Sequence, residues 1–92
     1  MKKTRKNPPR ILIIDDEDVI RDGCSQTLTR LGCTVETTGD SLEGLRLASR
    51  DVYDVILLDI RMPKMEGIEL LKRLKQESRI RGKIIVITGY GT

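Results

Sequence analysis

Three observations in the sequence predict an α/β fold, a doubly wound parallel sheet. RILIID (10–15), DVILLD (54–59) and KIIVIT (83–88) are continuous apolar runs rich in β-branched residues, as strands covered by helices on both faces are. Longer amphipathic stretches separate them in regular alternation, the pattern of βαβ units. Each of the three runs also ends in polar chemistry: Asp15 with Asp16, Asp59, and Thr88 followed by Gly89.

Taken in order, the first strand is RILIID. A first helix follows the acids Asp16 to Asp18, with Val19, Ile20, Cys24, Leu28 and Leu31 at helical spacing and Gly32 as its stop. CTVETT (33–38) alternates and is more polar, which reads as an edge strand. In DSLEGLRLASRD (40–51), Leu42, Leu45 and Ala48 share one face, Asp40 or Ser41 is the cap, and Gly44 weakens the helix slightly. DVILLD is the third strand. The third helix, about 66–77, turns Ile68, Leu71 and Leu74 to the sheet and Lys72, Arg73, Lys75 and Gln76 to water. SRIRGK leads into the fourth strand, KIIVIT.

The chain has 92 residues, 38% hydrophobic and 34% charged, which suits one soluble globular domain. Without Phe or Trp, and with two Tyr, its core must be aliphatic, and nucleic-acid binding through stacked aromatics is disfavoured. The net charge of +3 is local: five of the 17 basic residues lie in MKKTRKNPPR, leaving 12 against all 14 acids, a net of −2 for the rest. Residues 1–9 thus read as a basic flexible tail ahead of a domain at 10–92. A solvated tail is the plainer reading, with contact to nucleic acid or an anionic membrane as the alternative. The apolar run after the tail is cut off by acids before a signal-peptide core is complete, and no later run spans a bilayer. A cytoplasmic protein without a membrane partner is expected. Cys24 and Cys33 have no zinc-ligand spacing and there is no His, so both are expected to be buried thiols filling apolar space.

Right-handed crossovers put the ends of parallel strands at one edge of the sheet. If the first strand lies between the second and third, the chain reverses direction between Asp15/Asp16 and Asp59, where open α/β sheets bind ligands. Capping and helix dipole explain at most two acids of DDED and leave Asp59 unexplained. Carboxylates held that close take up protons or hold a cation. With oxygen ligands alone, no His and no paired Cys, the hard cation Mg²⁺ is the best candidate for such an ion. An Asp beside it suits nucleophilic attack on a phosphoryl group, and Thr88 could hydrogen-bond a phosphoryl oxygen.

ILIIDDE, DVILLDIRMPKMEG and IIVITGYG, in this order and spacing, resemble the receiver domains of two-component response regulators from about residue 10 to 92. The resemblance implies a flavodoxin-like sheet in strand order 2-1-3-4. It implies that Asp59 accepts a phosphoryl group from a histidine kinase or phosphotransfer protein. Asp15 and Asp16 would hold Mg²⁺ with Asp59, Asp16 more directly, and the backbone carbonyl of Arg61 would complete the metal site. Met62 and Pro63 would shape the loop after Asp59, Gly67 would sit at the start of the third helix, and Thr88 would be the switch hydroxyl, with Tyr90 and Gly91 in the loop it reorganises. Such a module signals, assisting its own phosphorylation and dephosphorylation, and is not itself an enzyme. The ending ITGYGT is also similar to receivers attached to ATPase-type transcription activators, which implies a C-terminal output domain.

The sequence departs from that family at its end: the last helix-strand-helix of a complete receiver, with its phosphoryl-pairing Lys, is not in these residues. Neither Lys64 nor Lys83 occupies an equivalent place. The chain therefore reads as the front part of a longer regulator. The fourth strand is expected to have an exposed edge that self-association, domain exchange or partial disorder would relieve. The alternative function is a module of interaction or self-association only. A phosphatase-type enzyme is disfavoured, because DIRMP offers Arg61 where a second acid is needed.

Overall fold

The computed structural model of the chain describes residues 7–60, 67–77 and 79–87. Strands and helices alternate: β1 (Arg10–Ile14), α1 (Asp18–Arg30), β2 (Thr34–Thr38), α2 (Ser41–Arg50), β3 (Val55–Asp59), α3 (Gly67–Gln76) and β4 (Lys83–Ile87). All neighbouring strands pair in parallel in the order β2-β1-β3-β4. The polar strand β2 lies at one edge and β1 and β3 lie inside, while β4, as apolar as they are, forms the other edge.

Period-two alternation divides β1 and β3 between the two faces. Leu12 and Ile14 of β1, with Ile56 and Leu58 of β3, form one cluster with Leu47 and Ala48 of α2, Leu70 and Leu74 of α3, and Tyr53. Full burial of such an aliphatic side chain contributes about 1.5–3 kcal/mol, so this doubly covered face is the stronger half of the domain. On the other face α1 lies over the sheet, and an open groove of about 330 Å³ runs between Gly23, Cys24, Thr27 and Leu28 of α1 and Leu57 of β3.

That asymmetry corrects the expected face of the first helix. No α1 residue is fully buried: Ile20, Cys24 and Leu28 are half-buried, while Val19 is 82% and Leu31 74% exposed. Val19 sits about 100° round the helix from Ile20, off the stripe that the other three form. The cysteines are free and half-buried rather than buried, because α1 only partly covers its face. Gly32 does end the helix. It adopts φ +97°, its N–H donates to Thr29 O at 3.0 Å, and the Cys33 N–H donates to Leu28 O at 3.0 Å, which is a Schellman motif.

The inward faces of α2 and α3 are each rotated by one residue from the expected stripe. In α2, Ser41, Gly44, Leu47 and Ala48 are buried, Leu45 is half-buried and Leu42 is exposed. The small residues let the helix approach closely: a Cβ on Gly44 would stand 2.7 Å from Ile14 Cδ1. In α3, Gly67, Leu70 and Leu74 are buried, Leu71 is half-buried and Ile68 is exposed. Gly67 dictates that phase, since a Cβ there would overlap the backbone of Ile60. Lys72, Arg73, Lys75 and Gln76 face water as expected.

Among the described residues, β4 pairs on one side only. Its Ile85 is 46% and its Val86 38% exposed, one on each face of the sheet. Among the described residues, no helix is long and apolar enough to cross a membrane.

Candidate functional site

Asp15 follows β1 directly, and Asp59 is the last residue of β3. The two strands pair with Ile14 opposite Leu58, so their next residues come side by side at the carboxyl edge, where the sheet order reverses between β2 and β3. Asp16 is next in the chain. Carboxylate oxygens of Asp15, Asp16 and Asp59 all lie within 4.8 Å of one another. Asp15 and Asp59 are buried, at 1% and 2% exposure, and Asp16 is exposed. The cluster thus has two fixed acids beneath one that faces solvent.

The turn after β1 is held by an unusual number of bonds to one residue. The Asp15 N–H extends the ladder to β2 by donating to Thr38 O at 3.1 Å. Asp15 Oδ1 accepts the Glu17 N–H at 2.9 Å, and its backbone carbonyl accepts Arg21 Nη1 at 2.7 Å. Glu17 occupies the N-cap of α1 without a side-chain cap bond, so the acids here are not explained by helix capping. Asp40 is a true cap: its Oδ2 accepts the Glu43 N–H at 3.0 Å.

The electrostatics favour a cation. Burial pushes the Asp15 carboxyl above the usual carboxylate range, and the adjacent Asp59 and Asp16 push it the same way, against the Glu17 N–H, which lowers it. A divalent ion bound by carboxylate oxygens relieves this crowding, and a donor set of oxygens alone suits Mg²⁺. The fit is chemical: three hard ligands, two of them rigid, with an exposed third left to complete an open-sided site.

Three residues expected at the site from the sequence, Asp15, Asp16 and Asp59, are therefore brought together. Gly67 begins α3, and its N–H donates to Ile60 O at 3.1 Å, one residue beyond Asp59. Arg61, Met62, Pro63 and Thr88 lie outside the described residues; Thr88 follows Ile87, which pairs with Asp59. Sequence reasoning missed Arg21, whose guanidinium reaches the Asp15 carbonyl, and Gly39, beside which it passes. The available signal was the Asp18 and Arg21 spacing, a helical i,i+3 ion pair.

Residues 11–92 match the family described as the response regulator receiver domain, whose members are signalling modules. Relatives include the transcriptional activator protein PfeR of Pseudomonas aeruginosa, 36% identical over 69 residues, which are 75% of this chain and 23% of PfeR. The chain spans about a quarter to a third of the length of the first curated relatives it matches. Among solved structures, the chemotaxis protein CheY4 of Vibrio cholerae has a TM-score of 0.84 at 34% identity, over 92% of this chain and 72% of that one. A structure of the histidine kinase ThkA in complex with the response regulator protein TrrA gives a TM-score of 0.81 at 32% identity, over 91% of this chain and 72% of the matched one. The flavodoxin-like order β2-β1-β3-β4 is common ground with such structures. The likeness runs through the described sheet and through the span of the family match, and the chain belongs to the response regulator receiver domain family.

Proposed function

We propose that residues 10–92 work as a phosphoryl-accepting module of two-component signalling, with residues 1–9 a basic tail outside it. Asp59 is the acceptor. Asp15 and Asp16 hold Mg²⁺ together with Asp59 and the Arg61 carbonyl, Met62, Pro63 and Gly67 shape the loop after the acceptor, and Thr88 is the switch hydroxyl. The observation that carries this reading is the convergence of the Asp15, Asp16 and Asp59 oxygens at the sheet edge. Thr88 draws support from its neighbour Ile87, which lies opposite Asp59 in the register.

Mg²⁺ bound there supplies positive charge to the phosphoryl oxygens and to the crowded carboxylates. The strand end presents an Asp59 carboxylate oxygen to phosphorus. The new O–P bond forms as the bond to the donor's imidazole nitrogen breaks, and that nitrogen keeps the electron pair. The donor is a histidine kinase or phosphotransfer protein, a proposal supported by the likeness to the structure that contains ThkA and TrrA. In the longer protein that the short coverage of its relatives suggests, a C-terminal output domain, such as one controlling transcription, receives the signal. A cytoplasmic location accords with a kinase as donor.

Incubation with Mg²⁺ and a small phosphodonor, followed by intact mass measurement, tests the reading. One phosphoryl adduct is expected in the wild type and none in Asp59→Asn; an adduct that persists in the variant overturns the assignment.

A second reading, self-association through β4, is favoured by the exposure of Ile85 and Val86 on an edge strand. Light scattering at rising concentration is expected to show a growing dimer fraction that Val86→Lys reduces. A wild type that remains monomeric throughout overturns it.

A further inference from the structure

Every main-chain polar group of Asp15, and one oxygen of its carboxylate, is engaged, and the bond to its carbonyl comes from an unexpected place. Arg21, a turn into α1, sends Nη1 to Asp15 O at 2.7 Å and Nη2 to Asp18 Oδ1. Its side chain is only 20% exposed, whereas that of Asp18 is 80% exposed. The planar guanidinium thus clamps both ends of the turn 15–18, which contains Asp15 and Asp16. Because a peptide unit is planar, fixing the Asp15 carbonyl also fixes the N–H of Asp16 and the direction in which the chain enters that residue.

Gly39, between β2 and α2, is what lets the clamp close. A Cβ at that position would stand 2.5 Å from Arg21 Nη1 and 3.3 Å from Arg21 Cζ. Gly39 does not have a positive φ, so a side chain there meets the guanidinium and not backbone strain. The path therefore runs from the loop after β2, through a guanidinium, to the carbonyl of a site acid.

We propose that Arg21, admitted by Gly39, is a positioning residue that sets the aim of Asp15 and Asp16 toward Mg²⁺. The role rests on the metal reading given above. It also makes a sign that separates geometry from charge. Removing a cation from beside three acids should by Coulomb attraction alone strengthen their hold on another cation. If Arg21 instead aims the ligands, its removal weakens that hold. Loss of a group that orients metal ligands typically costs about 10–100-fold in metal affinity. Lys keeps the charge but lacks the fork that reaches two acceptors at once, and should not restore full affinity.

Mg²⁺ titration of the whole chain by calorimetry, paired with thermal melting in chelator, tests this in wild type, Arg21→Met, Arg21→Lys and Gly39→Ala. Arg21→Met and Gly39→Ala are each expected to bind Mg²⁺ about tenfold more weakly, with Arg21→Lys between them and wild type. Metal-free melting should stay close to wild type in all three. Equal or tighter binding by Arg21→Met overturns the role, as does a loss of affinity that tracks a fall in metal-free melting. A wild type that does not bind Mg²⁺ overturns the metal reading itself, and the role of Arg21 with it.

Discussion

Asp15 and Asp59 bring carboxylate oxygens within 4.8 Å of each other from adjacent parallel strands, both almost wholly buried. Asp15 answers by holding its proton more tightly than an ordinary carboxyl at 3.8. The folded state then binds more protons than the unfolded one, so metal-free stability falls as pH rises from that ordinary value through the raised one. Asp15→Asn is expected to lose this fall and to melt above the wild type in chelator at neutral pH. Mg²⁺ at about 100 times its dissociation constant adds about 2.7 kcal/mol to a protein that binds it only when folded. That gain is expected in the wild type and absent in Asp15→Asn, and melting curves across pH with and without Mg²⁺ check both.

Gly44 and Ile14 form a contact with no spare room. Ala at position 44 gains up to about 1 kcal/mol of helix propensity but drives a methyl against the buried Ile14, 2.7 Å from Cδ1 and 2.9 Å from Cγ1. Overpacking of that kind costs about 1–3 kcal/mol. Gly44→Ala is expected to destabilise on balance, by about 1 kcal/mol, and Ile14→Val in the same chain should recover part of the loss. Urea unfolding midpoints of the wild type, Gly44→Ala, Ile14→Val and the double variant measure it.

At Gly67 the obstacle is main chain rather than a side chain that can turn aside. A Cβ would overlap Ile60 Cα and its carbonyl group, so Gly67→Ala must shift α3 or the end of β3. A loss of about 3 kcal/mol is expected, larger than at Gly44, and the same unfolding measurement ranks the two.

Tyr53, buried beneath the Arg10 guanidinium at 5.0 Å from its ring centroid, donates its hydroxyl to Glu36. Tyr53→Phe is expected to cost about 1 kcal/mol at neutral pH. Burial, followed by the bond to Glu36, raises the phenol above its ordinary 10.0. The fold therefore retains a proton that the unfolded chain releases, and wild-type stability is lost as pH rises past that ordinary value. Phe has no such loss, so the gap between the two proteins should close in alkaline melts.

The sheet and the acid cluster were legible because buried strands and their polar ends carry strong local signals. RILIID, DVILLD and KIIVIT are apolar runs too short for helices and read as strands wherever they lie in the sheet, although KIIVIT at its edge keeps Ile85 and Val86 exposed. DDED is too charged to be a simple cap. Helix phase was less legible: with Leu42 beside Ser41 and Ile68 beside Gly67, hydrophobicity pointed one residue away from the face that close packing chose. Small residues won because they let each helix come close, Gly44 onto the Ile14 side chain and Gly67 onto the Ile60 backbone, which an apolar scale does not register. Arg21 was hidden for another reason: its main partner is a carbonyl, which every residue type possesses, so no pattern of side chains marks it.

The register that puts Ile14 opposite Leu58 has a consequence for how this site persists. Two of its acids are the next beads on neighbouring strings, and their spacing is inherited from a hydrogen-bonded ladder instead of being negotiated among loops. Once β1 has paired with β3, the main chain of Asp15 is carried to the side of Asp59, and Arg21 has only its aim left to set. A centre built that way is portable: it can be fused to new surroundings, and those surroundings can diverge, while its dimensions stay put.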